Sequence, residues 1–142
     1  MFENSTPILR VSDLPASVAW YTDVLGFCVE FHVQGVIASL IRDRARLWLV
    51  EGDQGHPGGW VWFGVADVES LCEELKSKNA SIRVPPTNYE WAFEMQVSDP
   101  DGNVLRFGSE PKKDAPIGEW LDMHERRWAP TPNRSWTRVD GE

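Results

Sequence analysis

Cysteine and histidine are scarce in this chain, with two and three among 142 residues. Cys28 and Cys72 match no metal-binding spacing, and both are read as small buried hydrophobes. His32, His56 and His124 lie far apart, so no zinc pattern forms; His32 and His56 read as surface residues and Asp122 with His124 as a solvated pair. No nucleophile motif and no phosphate-cradling glycine loop is present, and no catalytic residue is assigned. No apolar run reaches membrane length, and no secretory signal or lipidation motif occurs, so a cytoplasmic protein without a membrane role is expected. Basic residues are outnumbered, 14 Lys and Arg against 22 Asp and Glu, for a net charge of −8. That balance disfavours a nucleic-acid role, which usually needs a basic face.

What the chain has in quantity is tryptophan, eight residues, within a hydrophobic fraction of 42 %. Such a composition argues for a packed core rather than disorder. The length suits one domain, or two half-domains sharing a core.

Ser98-Asp99-Pro100-Asp101-Gly102-Asn103-Val104-Leu105-Arg106-Phe107 carries the strongest local signal. An Asp-Gly pair between strand-forming runs predicts a tight hairpin, because glycine tolerates positive φ. Beyond it Leu105 and Phe107 face one way and Val104 and Arg106 the other. The apolar pair belongs to the core, which leaves Arg106 in mid-strand on the opposite face.

The remaining pattern repeats once. Residues 6–11 read as a strand, followed by a helix capped at Ser12 or Asp13, with Leu14, Val18, Tyr21 and Leu25 on one stripe and Gly26 closing it. Residues 27–33, 36–42 and 46–51 read as strands. A polar, glycine-rich linker spans 52–59. Residues 60–66 then read as a strand, and Asp67 caps a helix carrying Val68, Leu71, Cys72 and Leu75. Residues 80–84 form a short strand that Pro85-Pro86 ends, and 91–98 pairs with 104–109. The predicted class is α+β: two βαβββ modules, 5–51 and 59–109, within a domain of residues 1–110. Residues 111–142 form a C-terminal tail in which 118–127 reads as an amphipathic helix and 135–139 as a strand. Its tryptophans are costly to leave in water, so the tail is expected to dock on the domain or on a partner subunit.

These motifs resemble the vicinal oxygen chelate superfamily, which includes glyoxalases, extradiol dioxygenases and bleomycin-binding proteins. The resemblance covers residues 6–110. It rests on Arg10-Val11-Ser12-Asp13-Leu14 leading into Ala19-Trp20-Tyr21 and Leu25-Gly26-Phe27, on Val65-Ala66-Asp67-Val68, and on Asp99-Pro100-Asp101-Gly102-Asn103. It implies paired modules whose open sheets enclose a cleft, and a homodimer. It also implies metal-ligand places in the family's enzymes that fall here on Thr6, Trp48, Trp60 and Arg106. Indole cannot ligate a divalent ion and a guanidinium repels one, so neither metal nor other cofactor is expected. That departure resembles the metal-free bleomycin-binding branch, although Arg10 stands near where that branch carries a strand-exchange proline.

If Leu9, Val11, Leu47, Leu49, Val61, Phe63, Leu105 and Phe107 pack under the helices, the alternate residues face the cleft: Thr6, Ile8, Arg10, Arg46, Trp48, Val50, Trp60, Trp62, Val104 and Arg106. Trp91 joins them at the rim or packs in the core, and Glu94 and Gln96 supply polar contacts. The ligand-binding set is thus Arg10, Arg46, Trp48, Trp60, Trp62, Trp91 and Arg106. Indoles and guanidiniums suit a flat, conjugated or partly anionic ligand, and indole faces equally suit a cation; the alternative is that they stack on one another and fill the groove. The expected function is metal-free sequestration of a planar or aromatic small molecule, an antibiotic for example. The alternative is a superfamily isomerase or lyase with a displaced metal site or a carboxylate base such as Glu94.

Overall fold

The structure is a computed structural model, and it describes residues 1–139. Strand β1 (Ile8–Val11), helix α1 (Leu14–Asp23) and strands β2 (Cys28–Val33), β3 (Ile37–Arg42) and β4 (Ala45–Glu51) form the first module. Strand β5 (Trp60–Gly64), helix α2 (Val68–Ser77) and strands β6 (Ser81–Asn88), β7 (Phe93–Ser98) and β8 (Val104–Ser109) form the second. The sheets have matching orders, β1-β4-β3-β2 and β5-β8-β7-β6, and each closes with a parallel pair: Ile8 beside Trp48 and Trp60 beside Val104. The expected α+β class and its two modules are therefore present.

Both helices start as their sequences dictate. The Asp13 carboxylate accepts the Ala16 amide at 3.0 Å, and Asp67 accepts that of Ser70 at 3.1 Å. Leu14, Tyr21 and Leu25 from α1 and Val68, Cys72 and Leu75 from α2 and their flanks are buried. They join Leu9, Val11, Leu47, Leu49, Phe63, Leu105 and Phe107 in one cluster, with Val61 packed against it. Burial pushes the Cys72 thiol up from its ordinary value, as an inert core thiol requires. No helix among the described residues is long and apolar enough to cross a membrane.

Several local expectations are corrected. Cys28 is exposed, because β2 is the edge strand of its sheet and is exposed throughout. Pro85-Pro86 does not end β6, which runs on to Asn88 through register shifts between Ile82 and Val84 and between Val84 and Thr87. An edge strand with bulges tolerates the missing amide donors. The hairpin is not a two-residue turn: Ser98 pairs with Val104 around a loop of residues 99–103. Backbone bonds from Asp99 to the Asn103 carbonyl (2.9 Å) and from Gly102 to the Asp99 carbonyl (3.1 Å) close that loop. The buried Asp99 carboxylate organises it, accepting the amides of Asp101 (2.9 Å) and Asn103 (2.8 Å), the Asn103 side-chain amide (2.8 Å) and the Tyr21 hydroxyl (2.8 Å). Asn103 then donates to the Arg10 carbonyl at 3.1 Å and accepts the Gly59 amide at 2.7 Å, so the hairpin tip joins the two modules.

In the tail, residues 118–127 are not helical. Strands β9 (Trp120–Leu121), β10 (Arg127–Pro130) and β11 (Trp136–Arg138) form a small antiparallel sheet in the order β11-β10-β9. The apolar residues satisfy helical spacing, but Asp122 turns the chain. Its carboxylate accepts the amides of His124 (2.8 Å) and Arg126 (2.9 Å), Arg126 Nε (2.8 Å) and Trp128 Nε1 (2.9 Å). Asp122 is thus a structural residue rather than half of a solvated pair with His124.

Candidate functional site

On each sheet the face turned away from the helices holds the expected cleft residues. In the first module, Trp48 donates through Nε1 to Ser39 Oγ at 3.1 Å, and Ser39 Oγ donates to Glu30 at 2.8 Å. Arg46 closes the chain with two bonds to the same carboxylate, at 2.6 and 3.0 Å. Glu30 reaches this face because the β2–β3 register shifts between Val29 and Phe31. Hydrogen bonds from Arg46 and then Ser39 pull the Glu30 carboxyl down to about 2. The Phe31 ring meets Trp48 edge-on at 6.4 Å and remains 47 % exposed. Arg10 is set apart, its Nη1 donating to the Gly55 carbonyl of the glycine-rich linker at 3.5 Å.

In the second module, Trp62 pairs with Arg106, and Arg106 with Gln96, across β5, β8 and β7. Arg106 holds Glu94 through two parallel bonds, and Trp91 Nε1 donates to the same carboxylate. Trp62 lies flat across the glycines beside it: a Cβ at Gly108 would stand 2.6 Å from its ring. Trp62 and Arg46 also line a common groove of about 850 Å³ between the modules.

This second face is covered by the chain's own tail. Trp120 lies 6.3 Å from Trp60, and the Arg106 guanidinium stands over the Trp120 ring at 5.0 Å. Arg83 lies over Trp60 at 5.4 Å and donates to Gln96, to the Leu121 carbonyl (3.4 Å) and to the Asp122 carbonyl. The Tyr89 hydroxyl donates to the Glu119 carbonyl at 2.8 Å. Burial, reinforced by the Glu94 charge, pushes that phenol up to about 12. Trp60, Trp91 and Arg106 therefore meet in one cluster and Arg46 and Trp48 in another, while Trp62 packs over Gly64 and Gly108 and shares a groove with Arg46. Tyr89, Arg83, Trp120, Trp128 and Trp136 were missed as partners. Their only signal in the sequence is the excess of tail tryptophans.

The places that the resemblance gives to metal ligands test poorly for a metal. Trp48 is hydrogen-bonded to Ser39, Trp60 lies between Arg83 and Trp120, and Arg106 is spent on Glu94. Among the described residues, no group of three or more His, Cys, Asp or Glu side chains could hold an ion. The donor set does not fit a divalent metal. The carboxylate considered as a base, Glu94, is 1 % exposed and accepts from both Arg106 and Trp91.

A sequence profile of the Glyoxalase/Bleomycin resistance protein/Dioxygenase superfamily matches residues 5–107, and the chain belongs to that superfamily. The fold is similar to that of the bleomycin-binding protein from bleomycin-producing Streptomyces verticillus, solved with copper(II)-bleomycin. That protein is 26 % identical over 77 % of this chain and 97 % of its own, with a TM-score of 0.68. A bleomycin resistance determinant encoded on transposon Tn5 gives a TM-score of 0.67 at 22 % identity, over 77 % of this chain and 98 % of its own. Lactoylglutathione lyase from Agrobacterium tumefaciens gives 0.63 at 19 % identity, over 75 % and 92 %. No curated protein matches the chain in sequence.

Proposed function

We propose that this chain is a metal-free, cytoplasmic small-molecule-binding protein of the bleomycin-resistance type, which sequesters a planar aromatic compound without changing it. One observation carries the reading: indoles at positions 48 and 60 and a guanidinium at 106 stand where the superfamily's enzymes need metal ligands, and Trp48 lies on a face that the described tail residues leave open. Stacking on Trp48 and Phe31 supplies the affinity, and the Arg46–Glu30 pair beside them offers polar contacts. Glu94 is held by two donors, which disfavours a base at that position.

The same reading proposes a homodimer, in which the open face of the first module meets the second module of another copy. Sedimentation analysis should give a dimer mass; a monomer at every concentration would remove this part. Elemental analysis after expression with added divalent ions should find only substoichiometric metal. Thermal-shift screening of flat aromatic antibiotics, with bleomycin tested first because of the Streptomyces verticillus protein, should find a ligand whose affinity Trp48→Ala lowers. One tightly held ion per subunit, or turnover of the bound compound, would overturn the proposal.

A further inference from the structure

We propose that the tail builds a second binding site, separate from the open face of the first module, for a flat uncharged aromatic molecule of one or two fused rings. A pocket of about 380 Å³ is lined by Trp91, Trp120, Asp122, Trp128 and Trp136. That volume lies at the small end of ligand pockets, which run from about 300 to 1,000 Å³. Of these residues only Trp91 belongs to the stretch that the superfamily profile matches, residues 5–107. The site is an addition to the fold, and it is complete within one chain.

The register of the tail sheet explains the concentration of indoles. Trp128 pairs directly with Trp120, and Pro130 pairs with Trp136. Residues paired across strands share a face, and Trp128 and Pro130 are two apart, so all three tryptophans lie on one face of the tail sheet. Trp91 closes the pocket from the domain side. One of its faces stacks on Tyr89, with ring centres 4.8 Å apart and planes within 4°. The other face is left to a ligand, and Trp91 is 47 % exposed. Trp120 stands at 74° and Trp136 at 50° to it, and both flank the Tyr89–Trp91 stack, with ring centres 5.7 and 5.9 Å (Trp120) and 6.5 and 6.4 Å (Trp136) from Tyr89 and Trp91.

Two of the four indoles are held in place beforehand. Trp128 is tied to Asp122 and Trp91 to Glu94 through their indole nitrogens. A ligand therefore meets rings that need little further ordering. The charges favour a neutral ligand, because the carboxylates at the pocket, Asp122 in its lining and Glu94 beside Trp91, are already paired. Glu94 is paired with Arg106 and Asp122 with Arg126, both at 2.8 Å. Farther out Glu90 is paired with Arg134 at 3.4 Å and Glu119 with Arg127 at 3.8 Å. An ionic ligand would have to break or crowd one of these pairs, whereas a neutral ring displaces only water from indole.

The test is a titration of full-length protein with quinoline at mildly alkaline pH, where quinoline is neutral, followed through the indole N–H resonances. Saturable shifts are expected at Trp91 and Trp136, and Trp91→Ala should weaken binding about tenfold through loss of the stacking surface. Trp91 lies outside the tail strands, and Trp136→Ala provides a second variant. Amide spectra of both should retain the dispersion of the two modules. N-methylquinolinium and naphthalene-2-sulfonate should bind more weakly than quinoline. Unsaturable shifts, or quinoline affinity unchanged in both variants, would overturn the site. Tighter binding of either charged analogue would overturn the proposed ligand class. Neither result bears on ligand affinity at Trp48.

Discussion

Arg106 on β8 holds Glu94, its diagonal neighbour on β7, through two parallel hydrogen bonds of 2.8 and 2.9 Å, with the Glu94 side chain only 1 % exposed. Removing the guanidinium would leave a carboxylate buried without its countercharge. Arg106→Ala is expected to cost about 3–5 kcal/mol in urea denaturation. The double variant Arg106→Leu with Glu94→Leu should recover much of that loss, because it removes both charges together. A loss well below 1 kcal/mol in the single variant would mean that water reaches Glu94.

The Glu30–Arg46 pair predicts an acid-side signature. The folded-state carboxyl lies at about 2, below its ordinary value of 4.5. A depressed carboxyl contributes stability that is complete above the unfolded value and lost as pH falls towards the folded one. Thermal melts should therefore show Glu30's contribution fading between about 4.5 and about 2. Glu30→Gln should flatten the curve over that interval alone, and added salt should shrink the difference.

On the alkaline side, the chain has two tyrosines. Burial raises Tyr89 from 10.0 to about 12, and burial together with the Asp99 charge raises Tyr21 well above the same ordinary value. Absorbance titration of the folded protein should show almost no tyrosinate at the usual phenol midpoint, and both groups should ionise on unfolding. The sign is that of a raised pKa: the stabilisation is full below the unfolded value and is lost as pH rises towards the folded one. Normal titration of either tyrosine in the folded protein would contradict the burial described.

Among the contacts that dock the tail is one close backbone approach. The Gly118 amide donates to the Asn88 carbonyl at 2.9 Å, and a Cβ at Gly118 would stand 2.3 Å from Thr87 Cγ2. Gly118→Ala should destabilise docking by about 1–3 kcal/mol, seen as added tryptophan exposure to acrylamide quenching. Thr87→Ser removes that methyl group and keeps a hydroxyl for the bond to the Pro85 carbonyl, so the double variant should regain docking. Equal exposure in the single and double variants would place the strain elsewhere.

Much of the domain was legible from local chemistry. Asp13 and Asp67 cap helices as their side chains permit, and the alternation of Leu105 and Phe107 with Val104 and Arg106 assigned the two faces of β8. The same period of two puts Trp48, Trp60 and Arg106 on the sheet faces turned away from the helices, although the tail covers the face that holds Trp60 and Arg106. The tail was not legible in the same way. Trp120, Leu121, Met123 and Trp128 satisfy a helical spacing, and what selects strands is the Asp122 carboxylate gathering donors from residues 124–128. Pro85-Pro86 likewise reads as a break until the bulges of an edge strand accommodate it.

The two modules, the faces of their strands and the lack of metal-ligating side chains at Trp48, Trp60 and Arg106 are written in the local sequence. Those properties follow from periodicity and side-chain chemistry, which act over a few residues. That Arg46 is spent on Glu30 and Arg106 on Glu94 emerges from the folded arrangement alone. So do the packing of Trp120 against Trp60 and the meeting of four tryptophans around one pocket. These are contacts between segments distant in the chain, selected by the burial of indole and the pairing of charge once the sheets have formed, and no local pattern encodes their partners.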